Sequence, residues 1–317
     1  MRSIVNGDDA LRSTNRVIRC IEQATPSANE SRDGDRLWYS RESDLFEATE
    51  VAHESDGMWI SAPYSVCMEI GQQCNFRCGI CISDSSPLHQ METDWVSTAL
   101  KQINEAFGSV RVVWSGGEPT LALGIEDLID RSRRLGNCNV LVTNASRFIS
   151  HIAADWIDIS VYGYSNATFE RYTNSSLFET FRRNLDRYVT AYPRVSASFI
   201  LGVHGPAALK AMVRMVLDSG VRRLKFHRLS LAGRNLEDHK GDSASSEVLE
   251  IQSYLNHNPV VSSFTRSTSS NHKRKGYWVA RYPGVLANCE TAIPLDDSSR
   301  LVRAIKNNAE SNVSLYK

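Results

Sequence analysis

"VCMEIGQQCNFRCGICISDSS", residues 66–86, decides how the rest of the chain is read. Its first five residues are a short apolar run of strand type. The loop behind them puts Cys74, Cys78 and Cys81 within eight positions. Three thiols suit neither common structural use, because a structural zinc site takes four ligands and disulfides take an even number. No second pair completes a zinc set: Cys20, Cys67, Cys138 and Cys289 each stand alone. Soft thiolates at this density favour zinc or an iron–sulfur cluster. A cubane held by three thiolates keeps one iron open for a further ligand, whereas electron transfer alone uses four. On spacing alone, zinc and buried thiols stay open beside the cluster.

Downstream of this loop, strand-like and helix-like segments alternate. "DWVSTALKQINEAF" (94–107) reads as a helix, "VRVVWS" (110–115) as a strand, and "IEDLIDRSRRLG" (125–136) as a helix stopping on glycine. "NVLVT" (139–143) and "WIDISVYG" (156–163) are further strands. In "LFETFRRNLDRYVTAY" (177–192), Phe181, Leu185 and Tyr188 share one helical face. "RVSASFILGV" (194–203) is a strand, "PAALKAMVRMVLDSG" (206–220) a helix and "VRRLKFHRLS" (221–230) a sixth strand. This order predicts βαβ units and a parallel sheet, hence an α/β fold wound into an open or partial barrel. In such barrels the reactive chemistry gathers at the carboxyl ends of the strands.

On either side the pattern is weaker. Leu11, Val17, Ile18 and Ile21 predict one amphipathic helix within 8–24, followed by a polar linker (25–36) and a weakly patterned lead-in. Beyond Gly233 a helix near 244–255, a basic loop (267–276) and a possible strand (277–283) are expected. The chain therefore divides into an N-terminal helix, linker and lead-in (1–63), a barrel core (64–235) and a small C-terminal extension (236–317).

The 317 residues are 42% apolar and 23% charged, so a sizeable core needs no disulfide or metal staple. Thirty-six basic residues balance 36 acidic ones, which argues against a broad surface for nucleic acid or anionic membrane. The N-terminus lacks the apolar stretch of a signal peptide. No apolar run approaches the roughly 20 residues that cross a bilayer. The expected location is the cytoplasm, where seven cysteines stay reduced.

Cys74-Asn-Phe-Arg-Cys78-Gly-Ile-Cys81 resembles the three-cysteine signature of radical S-adenosylmethionine (SAM) enzymes. "SGGEP" (115–119), beginning 34 residues after Cys81, resembles that family's GGEP motif. "VTNAS" (142–146) is similar to its third-strand motif with alanine in place of glycine, and "ISVYG" (159–163) to its fourth-strand serine motif. The resemblance covers about residues 64–235 and implies a partial (β/α)6 TIM-like barrel. It implies a [4Fe-4S] cluster and SAM as cofactors, an electron donor such as flavodoxin or ferredoxin, and a 5′-deoxyadenosyl radical that takes hydrogen from a substrate. Carried over by residue, Cys74, Cys78 and Cys81 would bind the cluster, and Ile80 would lie near adenine. Gly116 and Gly117 would leave room for a backbone edge near the methionine moiety, with Glu118 beside its ammonium. Thr143, Asn144 and Ser160 would face ribose or carboxylate, and Arg171 would pair with the carboxylate. The family's glycine-rich adenine contact is not clear in "LGVHG" (201–205). Phe76, Trp114 and Cys67 read as packing.

Only Cys289 follows residue 138, so no auxiliary cluster is expected from cysteines of the extension. Net oxidation then lacks a common electron sink, which favours a redox-neutral step such as epimerisation, decarboxylation or C–C and C–heteroatom cleavage. About sixty residues before the barrel argue against a complete peptide-recognition domain and against a cobalamin domain. A small polar metabolite, such as a sugar, nucleoside or amino-acid intermediate, is the expected substrate, with peptide maturation and a thiolate–zinc module as alternatives. His227, Arg228 and Arg234 follow the sixth strand and are candidates to clamp a carboxylate or phosphate. Cys289 is a candidate hydrogen donor.

Overall fold

Alternation along each strand sorts the side chains into two faces, and this sorting builds the molecule. A computed structural model describes residues 65–81, 93–228, 242–256, 260–264, 277–281, 284–287 and 291–294. The expected N-terminal helix, linker and lead-in, the basic loop 267–276, Arg234 and Cys289 lie outside these residues, as does the side chain of Arg228. Strands β1 (Ser65–Glu69), β2 (Arg111–Ser115), β3 (Cys138–Thr143), β4 (Trp156–Ser160), β5 (Val195–Leu201) and β6 (Arg223–Arg228) are neighbours in chain order, each parallel to the next. The sheet does not close on itself, because β1 and β6 have other outer neighbours. The expected partial barrel is therefore present.

The helix-facing positions carry the main core. Val66 and Met68 of β1, Val112 and Trp114 of β2, Ile157 and Ile159 of β4, Phe199 of β5 and Phe226 of β6 are all buried there. Helices α1 (Thr93–Phe107), α2 (Ile125–Arg134), α3 (Asn166–Thr173), α4 (Phe178–Ala191) and α5 (Pro206–Asp218) connect the strands. Their apolar stripes explain their placement: α4 buries Phe181, Leu185 and Tyr188, and α5 buries Leu209, Met212, Val213 and Val216. Helix α2 has Glu126 and Asp127 in its first turn and three arginines in its last, which suits its dipole. It ends where Gly136 takes φ 82° and donates to the Arg133 carbonyl at 2.8 Å.

The lumen-facing positions of the first three strands make a small separate apolar cluster of Cys67, Val113 and Val140, with Val142 and Trp156 against it. The sheet also runs beyond the six expected strands. After α6 (Asp242–Leu255), β7 (Val261–Phe264) adds parallel to β6. Strand β8 (Tyr277–Arg281) lies parallel to β1 on its outer side, and β9 (Gly284–Ala287) and β10 (Thr291–Pro294) follow antiparallel. Among the described residues no helix is long and apolar enough to cross a membrane.

Candidate functional site

Backbone hydrogen bonds tie the loop leaving β1 to the end of β2. Gly117 N–H donates to the Gly71 carbonyl and Glu118 N–H to the Gln73 carbonyl, both at 2.7 Å. A Cβ on Gly116 would meet the Gly71 oxygen at 2.4 Å, and one on Gly117 would meet the Gln73 oxygen at 2.2 Å. Gly116 also holds φ 118°, which side chains rarely adopt. The backbone edge that this glycine pair admits in the structure is the protein's own, residues 71–73.

Glu118 is 3% exposed, and its carboxylate gathers four donors from two strand ends. Thr120 N–H (3.2 Å), Thr120 Oγ1 (2.6 Å) and Thr143 Oγ1 (2.6 Å) reach Oε1, and Asn144 N–H reaches Oε2 at 2.7 Å. Burial pushes its carboxyl above the ordinary value, against the pull of all four hydrogen bonds. Glu118 and Thr143 thus act as a strut between β2 and β3. Asn144 continues the strut towards the cysteine loop: its Nδ2 donates to Asn75 Oδ1 at 3.1 Å and points at Cys74 Sγ at 3.7 Å. The next residue, Ala145, sits at φ 54°, the left-handed region where glycine is at ease. That explains why the similar third-strand motif carries glycine here.

Phe76 anchors the three-cysteine loop. It is 1% exposed and meets Phe169 edge-on at 5.3 Å and Tyr162 at 6.4 Å. Arg77 N–H donates to the Thr173 carbonyl at 2.8 Å, and Asn174 Nδ2 donates back to the Arg77 carbonyl at 2.7 Å, tying the loop to the end of α3. Cys78 is buried; Cys74 and Cys81 are half-buried, and Ile80 packs against the core beside them. Phe76 N–H points at Cys74 Sγ at 3.4 Å. The Tyr162 hydroxyl is pushed well above its usual range, first by burial and then by the negative field of Cys78, Cys81 and Cys74. The Tyr162 hydroxyl also pairs with Ser160 at the end of β4.

Among the described residues no three His, Cys, Asp or Glu side chains converge as ligands of a single metal ion. Thiolates on one zinc, each about 2.3 Å from it, must nearly touch. Three soft thiols on one loop, each able to bind a different iron, fit a cluster by the chemistry of the donor set.

Arg171 projects from α3 into solvent, its guanidinium 5.5 Å from the Tyr172 ring. Beside it lies His204 of the 201–205 loop, 4.1 Å from Tyr172 between ring centres and held down to about 4 by burial and by Arg171. Two groups escaped the sequence reading. Glu247 of α6 is fully buried and its carboxylate accepts from Gly202 N–H (2.5 Å) and Gly205 N–H (2.7 Å), fixing that loop. Its signal was present, since Glu247, Ile251 and Leu255 recur every fourth residue on one helix face. The second is Asp158, a carboxylate inside the apolar strand "WIDISV". It is 6% exposed, 3.3 Å from Lys225 Nζ, and linked through Ser198 to His227.

Residues 68–207 match the family model of the radical SAM superfamily. This stretch is a radical SAM domain. Enzymes of that superfamily use a [4Fe-4S] cluster and SAM. The chain is 28% identical over 127 residues to an S-adenosylmethionine-dependent nucleotide dehydratase of Flammeovirga pacifica, covering 35% of the chain and 43% of the relative. It is 26% identical over 155 residues to a GTP 3′,8-cyclase of Haemophilus influenzae, covering 44% of the chain and 45% of the relative. The chain thus spans less than half the length of these curated relatives. In fold it is similar to SuiB of Streptococcus suis, crystallised with its precursor peptide SuiA, with a TM-score of 0.65, 12% identity, and coverage of 93% of this chain and 76% of that one. SuiB bound to S-adenosylmethionine matches with a TM-score of 0.59 and 11% identity, over 85% of this chain and 74% of that one.

Proposed function

We propose that Cys74, Cys78 and Cys81 hold the [4Fe-4S] cluster and that SAM binds across the strand ends at Ile80, Gly116, Gly117, Asn144 and Ser160, with Arg171 at the rim. When bound, the cluster and SAM supply the 5′-deoxyadenosyl radical. The chain's own residues orient the cofactors and keep water from the reacting centre. The carrying observation is that the loop bearing Cys74, Cys78 and Cys81 is pinned beside the ends of β2 and β3, with Phe76 N–H and Asn144 Nδ2 directed at Cys74. Donors aimed at a sulfur favour its anionic form, the form that ligates iron. Glu118 and Thr143 support this site by holding β2 and β3 in register rather than by touching SAM.

The substrate we assign is a small polar metabolite bearing hydroxyl groups, with a nucleoside or nucleotide preferred, in a redox-neutral step. Two relatives named for nucleotide chemistry and the charged lumen wall around Lys225 and His227 support this choice. A flavodoxin or ferredoxin would deliver the electron, and a reducing compartment such as the cytoplasm suits the thiols. The experiment is anaerobic reconstitution, followed by iron and sulfide analysis and chromatography for 5′-deoxyadenosine after dithionite and SAM. The expected result is a brown protein that cleaves SAM, with both properties lost in C74A, C78A and C81A. Zinc without iron or sulfide, or a reconstituted cluster that never cleaves SAM, sinks the reading. A second reading, maturation of a peptide, draws on likeness of fold to SuiB alone. Stimulation of SAM cleavage by a peptide and by no nucleotide would favour it.

A further inference from the structure

Both polar atoms of the Asn144 side chain have partners, and the partners decide which way the amide faces. Asn144 follows β3 directly and is 6% exposed. Its backbone N–H is held by Glu118 Oε2 at 2.7 Å, and Asn184 Nδ2 holds the next carbonyl, that of Ala145, at 2.9 Å. Ser146 N–H donates to Asn144 Oδ1 at 2.9 Å. A backbone N–H can only donate, so the atom it meets is the oxygen, and the amide cannot be turned over. Nδ2 is then the atom turned to the cysteine loop, 3.1 Å from Asn75 Oδ1 and 3.7 Å from Cys74 Sγ.

Ser146 provides the comparison. Its Oγ donates to the same Asn75 Oδ1, also at 3.1 Å. Asn144 and Ser146 thus tether the loop alike, across 69 and 71 residues of chain. Tethering needs no amide aimed at a sulfur, and of these two side chains Asn144 adds one. The same sulfur takes Phe76 N–H at 3.4 Å from within the loop. An N–H dipole pointed at a cluster thiolate favours the redox state with more negative charge, which is the reduced one, and so raises the reduction potential. Phe76 supplies its donor through the loop's own backbone. The Asn144 donor comes from another strand and keeps its place because Glu118 and Asn184 hold the backbone on either side of it.

Resting on the proposed cluster at Cys74, Cys78 and Cys81, we propose that Asn144 is a positioning residue that makes this cluster easier to reduce, through the Nδ2 hydrogen it directs at Cys74. The electron comes from an external donor, a flavodoxin or ferredoxin in the cell or dithionite in the test. Asn144 gives and takes no proton, and its N–H dipole alone acts. Ser146 serves the amide through its backbone N–H, while its hydroxyl is a tether only. This gives Asn144 a task distinct from facing the ribose or carboxylate of SAM, one that is present before SAM binds.

The test is a redox titration without SAM. Full-length wild type, N144A, N144L and S146A are reconstituted anaerobically, and the reduced cluster is followed by electron paramagnetic resonance as the potential is lowered. At the wild-type midpoint, N144A is expected to show a reduced-to-oxidised ratio about tenfold lower, a fall of 59 mV for one electron. N144L fills the space without a donor, so no water can take the amide's place, and the same fall is expected. S146A cuts the matching tether and leaves the amide, and its midpoint is expected to stay with wild type. A role of Asn144 in binding SAM moves none of these values, because SAM is absent. Midpoints of N144A and N144L equal to wild type, or a shift in S146A as large as theirs, overturn the proposal. Loss of the cluster from both Asn144 variants also overturns it, since Asn144 is then a tether and nothing more. If wild type itself takes up no iron and sulfide, the cluster assignment under Proposed function falls and takes this inference with it. A cluster in wild type with unshifted variants sinks this inference alone.

Discussion

Glu118, just past the end of β2, and Asp158, within β4, are both buried carboxylates, and the protein treats them in opposite ways. Glu118 is 3% exposed and receives four hydrogen bonds, all from neutral donors; burial still wins, and its carboxyl is pushed up. Asp158 is 6% exposed and receives two neutral hydroxyls, but a lysine and a histidine also face it. There burial remains the largest single influence and loses to the sum, so its carboxyl is pulled down. Neutral donors orient a buried acid, while a cation decides its charge. The first arrangement fits a strut, the second a group that must stay ionised beside a histidine.

The sharpest way to break this contrast is K225M, which leaves Asp158 buried and without its lysine. We expect a loss of about 3–5 kcal/mol by urea unfolding of the cluster-free protein, with most of it recovered in K225M/D158L. E118A strands four buried donors and is expected to cost about 3 kcal/mol, with E118Q costing about 2 kcal/mol because its amide can accept at one atom only. A loss from E118A clearly larger than that from K225M would reverse the ranking of the two sites.

Acidity separates them by sign. The folded value of Glu118 lies above the ordinary 4.5, so its contribution is fully present below pH 4.5 and is lost as pH rises through the folded value. The folded value of Asp158 lies below the ordinary 3.8, so its contribution is present above pH 3.8 and is lost as pH falls through the folded value. Stability measured against E118Q should therefore improve for wild type on acidification, and measured against D158N it should worsen. Slopes of the same sign would erase the distinction.

The smallest expected effect is A145G, a gain of up to about 1 kcal/mol from relieving the left-handed backbone, limited by the loss of a buried methyl. A higher melting temperature in this variant is the check.

Local pattern carried the six parallel strands, because apolar alternation and turn residues are properties of neighbouring positions. Helix α3 lacked such a mark. It is only eight residues long, and its capping box uses Ser165 with Thr168 in place of the usual Glu or Gln. Strands β9 and β10 are four residues each, too short for alternation to stand out, and β8 pairs with β1 across more than 200 intervening residues. The cysteine loop, the glycine pair and the Ser160 position were legible because each is a compact run with unusual chemistry. Arg171 was legible as a residue type only; the fold sets it in solvent beside Tyr172 and His204.

By itself the sequence determined that three thiols leave a strand together, that a glycine pair and an acid end the next, and that parallel strands bring those ends to one side. Spacing and periodicity suffice for this because they act over a few residues. Only the tertiary structure decided that Gly116 and Gly117 make way for residues 71–73, that Glu118 braces Thr143 and Asn144, and that Asp158 shares the lumen with Lys225 and His227. Those partners lie on different strands, and a carboxylate takes its charge and its task from whatever the fold places against it.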